Sequence, residues 1–260
     1  MNLNSLLHVS KSGINGLQQS LDRTANNIAN VNTTGYKEKQ TSFRELLTNQ
    51  TTAQEVNLPV NAEVAFNRGV ETAQQSVVFR QGALRSSDSP LDLAIQGEGF
   101  FGVRDANNQL LLTRDGNFGF DANGTLVNSQ GLRVDTTLTV PYQQWPQGKP
   151  VIDQAGNISI TANGTSTPVG RVMMYLPENP ETIVLTGDNL YQVEPGTVVR
   201  NSNENIEGLG TIQQSMLENS NVELARSMTE MITTQRAYSL NTRVLQSTDE
   251  MLSIVNRFTD

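Results

Sequence analysis

The chain has 260 residues, a formal net charge of −8 and a sequence pI of about 4.8, which allows one large domain or two modest ones. That acidic balance, without any run of Lys and Arg, excludes a phosphate-tracking surface, so nucleic acid is not expected as a partner. There is no cysteine and one histidine, His8, which removes disulfides, thiolate metal sites and cysteine nucleophiles and the usual centre of zinc or Ser-His-Asp chemistry.

The first residues, Met1 to Val9, carry neither a positive segment nor an apolar run of signal-peptide length. Nothing approaches the roughly 18 consecutive apolar residues of a membrane span. Neither a cleaved leader nor an integral membrane protein is expected.

From Leu3 to Val31 the spacing predicts a helix. Leu7, Ile14, Leu21 and Ile28 fall seven apart, and Ser10, Leu17, Thr24 and Val31 form the offset row three residues on. Asn26-Asn27 and Asn30 to Gly35 end it, with Gly35 placed for a left-handed stop. Residues 36–69 read as an extended linker, in which Phe43, Leu46 and Leu47 extend a helix or form an anchor and Gln50 to Asn61 is polar.

Residues 70–214 form a β-rich middle, with short strands predicted at 99–103, 109–113, 118–120, 125–127, 132–134, 158–161, 169–175 and 182–185. Asp115-Gly116, Asn123-Gly124 and Asn163-Gly164 are hairpin signals, and turns this frequent favour an antiparallel sheet. Trp145, bracketed by prolines, is placed to seal one end of the core. Residues 215–260 carry a long helix, with Ser220 to Glu223 as a capping box and Leu224, Met231, Tyr238, Leu245 and Leu252 recurring every seven residues. The fold class expected is α+β. A discontinuous helical, coiled-coil domain draws on both termini (1–35 and 215–260), and the β domain is inserted between them.

Gly97-Glu98-Gly99-Phe100-Phe101-Gly102 has the glycine spacing of a dinucleotide loop but runs into a strand and not a helix, so no cofactor is expected. Asp115, Asp121 and Asp135 lack the ligand spacing of a calcium loop and read as turn formers. No catalytic, cofactor-binding or metal-binding residue is assigned.

Thr24-Ala25-Asn26-Asn27-Ile28-Ala29-Asn30-Val31-Asn32-Thr33-Thr34-Gly35-Tyr36-Lys37 closely resembles the N-terminal signature of bacterial flagellar rod and hook proteins. Gly97 to Phe101, Thr113 to Phe118 and Asp121 to Val127 resemble their shared middle motifs. Ser220 to Glu223, Met231-Ile232, Gln235 to Tyr238 and Asp249 to Leu252 resemble the C-terminal signature. The motifs occur in order across almost the whole chain. Length and a single middle domain are most similar to distal-rod members, although Ser239 stands where the family usually has Glu.

The resemblance implies a structural subunit, not an enzyme, located in the flagellar basal body. Its partners would be copies of itself, neighbouring rod and hook proteins, and the type III export apparatus. Proximal-rod and hook-like roles share most motifs, and a secreted binding module is the alternative of another class. The assembly residues expected are Leu7, Ile14, Leu17, Leu21 and Ile28 with Leu224, Met231, Tyr238, Leu245 and Leu252, joined by the motif residues Asn26, Asn27, Asn30, Gly35 and Tyr36.

Overall fold

A computed structural model describes residues 3–48, 66–72, 76–162, 164–204 and 208–259. It is an α+β protein whose chain begins and ends in helices flanking a mainly antiparallel β region. Helix α1 is Leu3–Ala29 and helix α2 is Leu224–Thr259. The chain divides into two compact units. One holds Met1–Ala29, Lys39–Val78 and Glu223–Asp260, the other Asn30–Glu38 and Phe79–Val222.

Neither proline nor glycine interrupts α2, whose 36 residues make it about 54 Å long. It begins at Leu224, with the Ser227 amide bonded to the Glu223 carbonyl, and not at a Ser220 capping box. The Ser220 hydroxyl instead accepts from the Val222 amide at 3.3 Å. The cause lies just upstream, where the Asn219 and Asn221 amides bond to the carbonyls of Ala83 and Tyr36 and hold that backbone extended. Helix α1 stops at Ala29, two residues before Val31, because Asn30 closes a turn. Its carbonyl accepts from the Thr33 amide at 3.1 Å, and its side-chain oxygen accepts from the Thr33 hydroxyl.

In the unit containing both helices, α1 packs against α2 and against the strand Phe66–Thr72. The stretch read as a linker divides. Residues up to Glu38 join the β-rich unit, Lys39–Gln40 pairs with Ser76–Val77, and Phe43–Thr48 pairs with Phe66–Thr72. Phe43, Leu46 and Leu47 thus lie on a strand, since backbone pairing with 66–72 satisfies groups that a bare linker would leave to water. Gln50 to Asn61 lies outside the described residues.

The β-rich unit carries, among the described residues, a nine-stranded and a four-stranded sheet. The larger runs in the order Ile183–Gly187, Leu190–Val193, Leu110–Thr113, Phe100–Arg104, Arg133–Val134, Leu126–Asn128 and Phe118–Phe120. Met174–Pro177 pairs with both Phe100–Arg104 and Val199–Asn201. The smaller orders Thr136–Leu138, Thr165–Val172, Asn157–Ala162 and Lys149–Ile152. The strand predicted at 169–175 is broken at Met173 between the two sheets. Phe101, Val103, Phe118 and Val134 from one sheet join Ile158, Ile160, Val169 and Val172 from the other in a single apolar cluster. Trp145 packs at its edge, its ring against Phe120 and its Nε1 donating to the Val140 carbonyl.

Asn123-Gly124 turns the hairpin between Phe118–Phe120 and Leu126–Asn128, with Gly124 at φ +76°. Asp115-Gly116 makes no hairpin, because the strands on either side of it are not neighbours. Gly116 lies instead against the Leu93 backbone, where a Cβ would stand 1.6 Å from the Leu93 carbonyl oxygen, and close approach explains the glycine.

Phe101 is fully buried and meets Phe118 edge-on at 5.1 Å, at the centre of the cluster. Phe101→Ala should therefore destabilise the β-rich unit by about 3–5 kcal/mol in urea unfolding. A loss below about 1 kcal/mol, the scale of a surface change, would contradict this placement.

Candidate assembly interface

Two sets of residues draw on the terminal motifs, one in each unit. In the β-rich unit, Gly35 to Glu38 runs beside Glu218 to Asn221. The Gly35 amide bonds to the Glu218 carbonyl at 2.8 Å, the Asn221 amide to the Tyr36 carbonyl, and the Glu38 amide to the Asn221 side-chain oxygen at 2.7 Å. Gly35 adopts φ +67° against the Arg114–Asp115 backbone, where a Cβ would lie 2.5 Å from main-chain atoms. No other residue fits there.

The carboxylate of Glu218 is the focus of this junction. It accepts from Lys37 Nζ at 2.6 Å, from Arg114 Nη1 at 3.2 Å and from the Gly82 amide at 2.8 Å. The three charged side chains are exposed by only 1% (Lys37 and Glu218) and 4% (Arg114). Lys37 Nζ also donates to the Arg80 carbonyl, and Arg114 Nη2 to the Gly97 carbonyl. Burial pushes the Lys37 ammonium below its ordinary pKa, and the Glu218 carboxylate pulls it part of the way back.

Arg114 is further lodged 5.3 Å from the centre of the Phe100 ring, and Phe79 and Tyr191 complete an edge-on aromatic trio with Phe100. Tyr36 is buried nearby, and its hydroxyl is pushed up to about 12, by burial first and by Glu38 second.

In the helical unit the face of α2 bearing buried residues is polar. Ser227, Thr234 and Thr248 are buried and Asn241 half-buried, all seven residues apart. The row meets α1 at Asn241, whose Nδ2 donates to the Ser10 carbonyl at 3.2 Å and lies 2.7 Å from where a Gly13 Cβ would stand. On α1 the buried residues among those described are small or polar too, namely Ser10, Gly16, Ser20, Thr24 and Asn27. The Thr24 and Thr248 hydroxyls bond back to carbonyls of their own helices.

The expected apolar residues fall elsewhere. Leu7, Ile14, Leu17, Leu21 and Ile28 are half-buried, as are Met231 and Leu245, while Leu224 and Tyr238 are exposed. Leu252 is in α2, with its side chain outside the described residues. Of the motif asparagines, Asn27 exchanges two bonds with the Lys39 backbone at 2.9 and 3.0 Å and so splices the helix to the first strand. Asn30 closes the turn after α1, and Asn26 is exposed.

Sequence reasoning missed Arg114, Glu218 and the polar row on α2. Lys37 and Arg114 stand inside quoted motifs, and the seven-residue spacing of Ser227, Thr234, Asn241 and Thr248 was legible. Charge and polarity hid them, because a search for cores weighs apolar residues.

Family comparisons match three stretches. Residues 7–37 match the flagella basal body rod protein family, 94–167 the flagellar hook protein FlgE/F/G D1 domain, and 213–258 the flagellar basal body rod FlgEFG protein C-terminal family. The chain is 33% identical to the flagellar basal-body rod protein FlgG of Borreliella burgdorferi, over 96% of this chain and 97% of that one. It is 32% identical to the FlgG of Agrobacterium fabrum, over 96% and 98%. It is also 32% identical to the flagellar hook-basal body complex protein FlhP of Bacillus subtilis, over 98% of each.

With Lys37 and Arg114 left facing a neutral group, Glu218→Gln should cost about 3–5 kcal/mol of stability in urea unfolding, although it preserves shape. A change within about 0.5 kcal/mol, as at an ordinary surface position, would show that the junction does not depend on the charge.

Proposed function

The chain belongs to the family of bacterial flagellar basal-body rod proteins, and from that premise we propose that it is a structural subunit of the distal rod. It polymerises through α1 and α2. The observation that carries this reading is a 36-residue helix that packs on its own chain through a polar row and leaves most of its large apolar side chains exposed. Helical stability in water comes chiefly from packing an apolar face, and among the described residues most of the large apolar side chains of this one stay exposed.

In the polymer, Leu7, Ile14, Leu17, Leu21 and Ile28 of α1 and Leu224, Met231, Tyr238, Leu245 and Leu252 of α2 supply the apolar contacts of a coiled-coil layer. Asn26, Asn27, Asn30, Gly35 and Tyr36 fix how α1 ends and where the chain enters the β-rich unit. Neighbouring rod and hook proteins cap the two ends of the stack. The subunit reaches the basal body through the flagellar type III export apparatus, and it has no catalytic role. The likeness to a hook-basal body complex protein supports a proximal-rod or hook-like position as the second reading.

Leu245→Asp tests the interface. A carboxylate pressed into an apolar contact is desolvated without a partner, at a cost of several kcal/mol. Rods and motility should be lost while the urea unfolding of the β-rich unit is unchanged. Normal rods and swimming in that variant would remove α2 from the interface.

A further inference from the structure

In the hairpin turn at Asp121 to Gly124 an exposed asparagine precedes a buried glycine, beside an aromatic rim of the core. Among the described residues of the β-rich unit, Asn123 alone is an asparagine followed by glycine. That order matters chemically, because glycine has no Cβ to crowd the approach of its nitrogen to the preceding side chain. Asparagine is also one of the thermolabile residue types. Asn128, in the next turn, differs on each count. Ser129 follows it, it is buried, and its side-chain oxygen accepts from the Gln130 and Leu132 amides at 3.1 and 2.8 Å. What covers Gly124 gives the chemistry a consequence. A Cβ there would stand 1.9 Å from the Tyr142 ring, so that ring rests directly on the turn backbone. Tyr142 in turn meets Trp145 at 5.2 Å and Phe120 at 5.8 Å.

We infer that Asn123 is a self-modification site, where conversion to isoaspartate displaces Gly124 and unseats Tyr142 from Trp145. The Gly124 nitrogen attacks Asn123 Cγ, the new C–N bond closes a succinimide ring, and the Cγ–Nδ2 bond breaks. Ammonia leaves, carrying the proton from the Gly124 nitrogen. Water then opens the ring at either carbonyl and gives aspartate or isoaspartate. Isoaspartate lengthens the main chain by one carbon between residues 123 and 124, where the Tyr142 ring leaves no slack. Asp121 restrains the reaction. Its carbonyl accepts from the Gly124 amide at 3.0 Å, and its Oδ1 accepts from the amides of Asn123 at 2.9 Å and Thr125 at 2.7 Å. The attacking nitrogen must first leave that carbonyl, so the rate follows opening of the turn.

Full-length chain and its variants are incubated at mildly alkaline pH, and each asparagine is followed by peptide mass mapping. Asn123 should lose its amide while Asn128 keeps its own. Asp121→Ala, which frees the turn, should react about fivefold faster, the net weight of one hydrogen bond, with Asn128 still intact. Asp121→Asn, which keeps a side-chain acceptor, should react at the wild-type rate. Trp145 is the single tryptophan, so its emission reports on the rim. That emission should move to longer wavelength as isoaspartate accumulates, and stay fixed in Asn123→Gln. An Asn123 amide as durable as that of Asn128, or an Asp121→Ala chain no faster than wild type, would overturn the inference. So would an emission that stays fixed in the wild type, or one that moves equally in Asn123→Gln.

Discussion

One carboxylate holds together three stretches of chain that lie far apart in sequence. Glu218 receives Lys37 from the segment after α1, Arg114 from the strand-turn of the middle region and the Gly82 amide, with almost no solvent reaching the group. In that low dielectric an unpaired charge is costly, so the three segments are stable together and unstable apart. The junction therefore settles what the β-rich unit contains. Residues 30–38 belong to it, and the chain leaves it after Glu38, returns at Phe79 and leaves again after Val222, with 35–38 bonded beside 218–221. Gly35 makes this possible, since its left-handed turn brings the backbone against Arg114 and Asp115 where no side chain fits.

The helices follow a different rule. Within one chain the buried positions described on them are small or polar, and the Thr24 and Thr248 hydroxyls bond to carbonyls of their own helices, while Leu7, Ile14, Leu17, Leu21, Ile28, Met231 and Leu245 are half-buried. A subunit that spent its apolar stripes on itself would have little left for its neighbours. The β-rich unit has its own apolar core and a buried ion cluster.

Much of this was legible in the sequence. Heptad spacing marked both helices, and turn chemistry placed the strands between 99 and 134 and those near 158–161 and 182–185 to within a residue or two. It gave no sign of Leu93–Gln96, Thr136–Leu138, Lys149–Ile152, Leu190–Val193, Val199–Asn201 or Thr211–Gln214. Asn123-Gly124 was read correctly because its geometry is local. Asp115-Gly116 was not, because what selects glycine there is the approach of Leu93, a contact invisible from neighbouring residues. The Ser220 capping box failed for a similar reason, as Ala83 and Tyr36 hold residues 219 and 221 extended. Fifteen residues were expected at the assembly interface from apolar period and motif. The structure gives several of the motif residues local tasks, with Asn27 splicing helix to strand and Asn30 closing a turn. Lys37, Arg114 and Glu218 could be matched to one another only in three dimensions.

Native-state hydrogen exchange on the free full-length chain is the most direct test of the division into a closed β-rich unit and dependent helices. The amides of Gly35, Glu38 and Gly82, bonded to Glu218 and Asn221, should exchange as slowly as those of Phe100–Arg104 in the central strand. Those of α1 and α2 should exchange much faster. If residues 35–38 instead exchanged together with α1, or if the helices were protected as strongly as the central strand, that division would be contradicted.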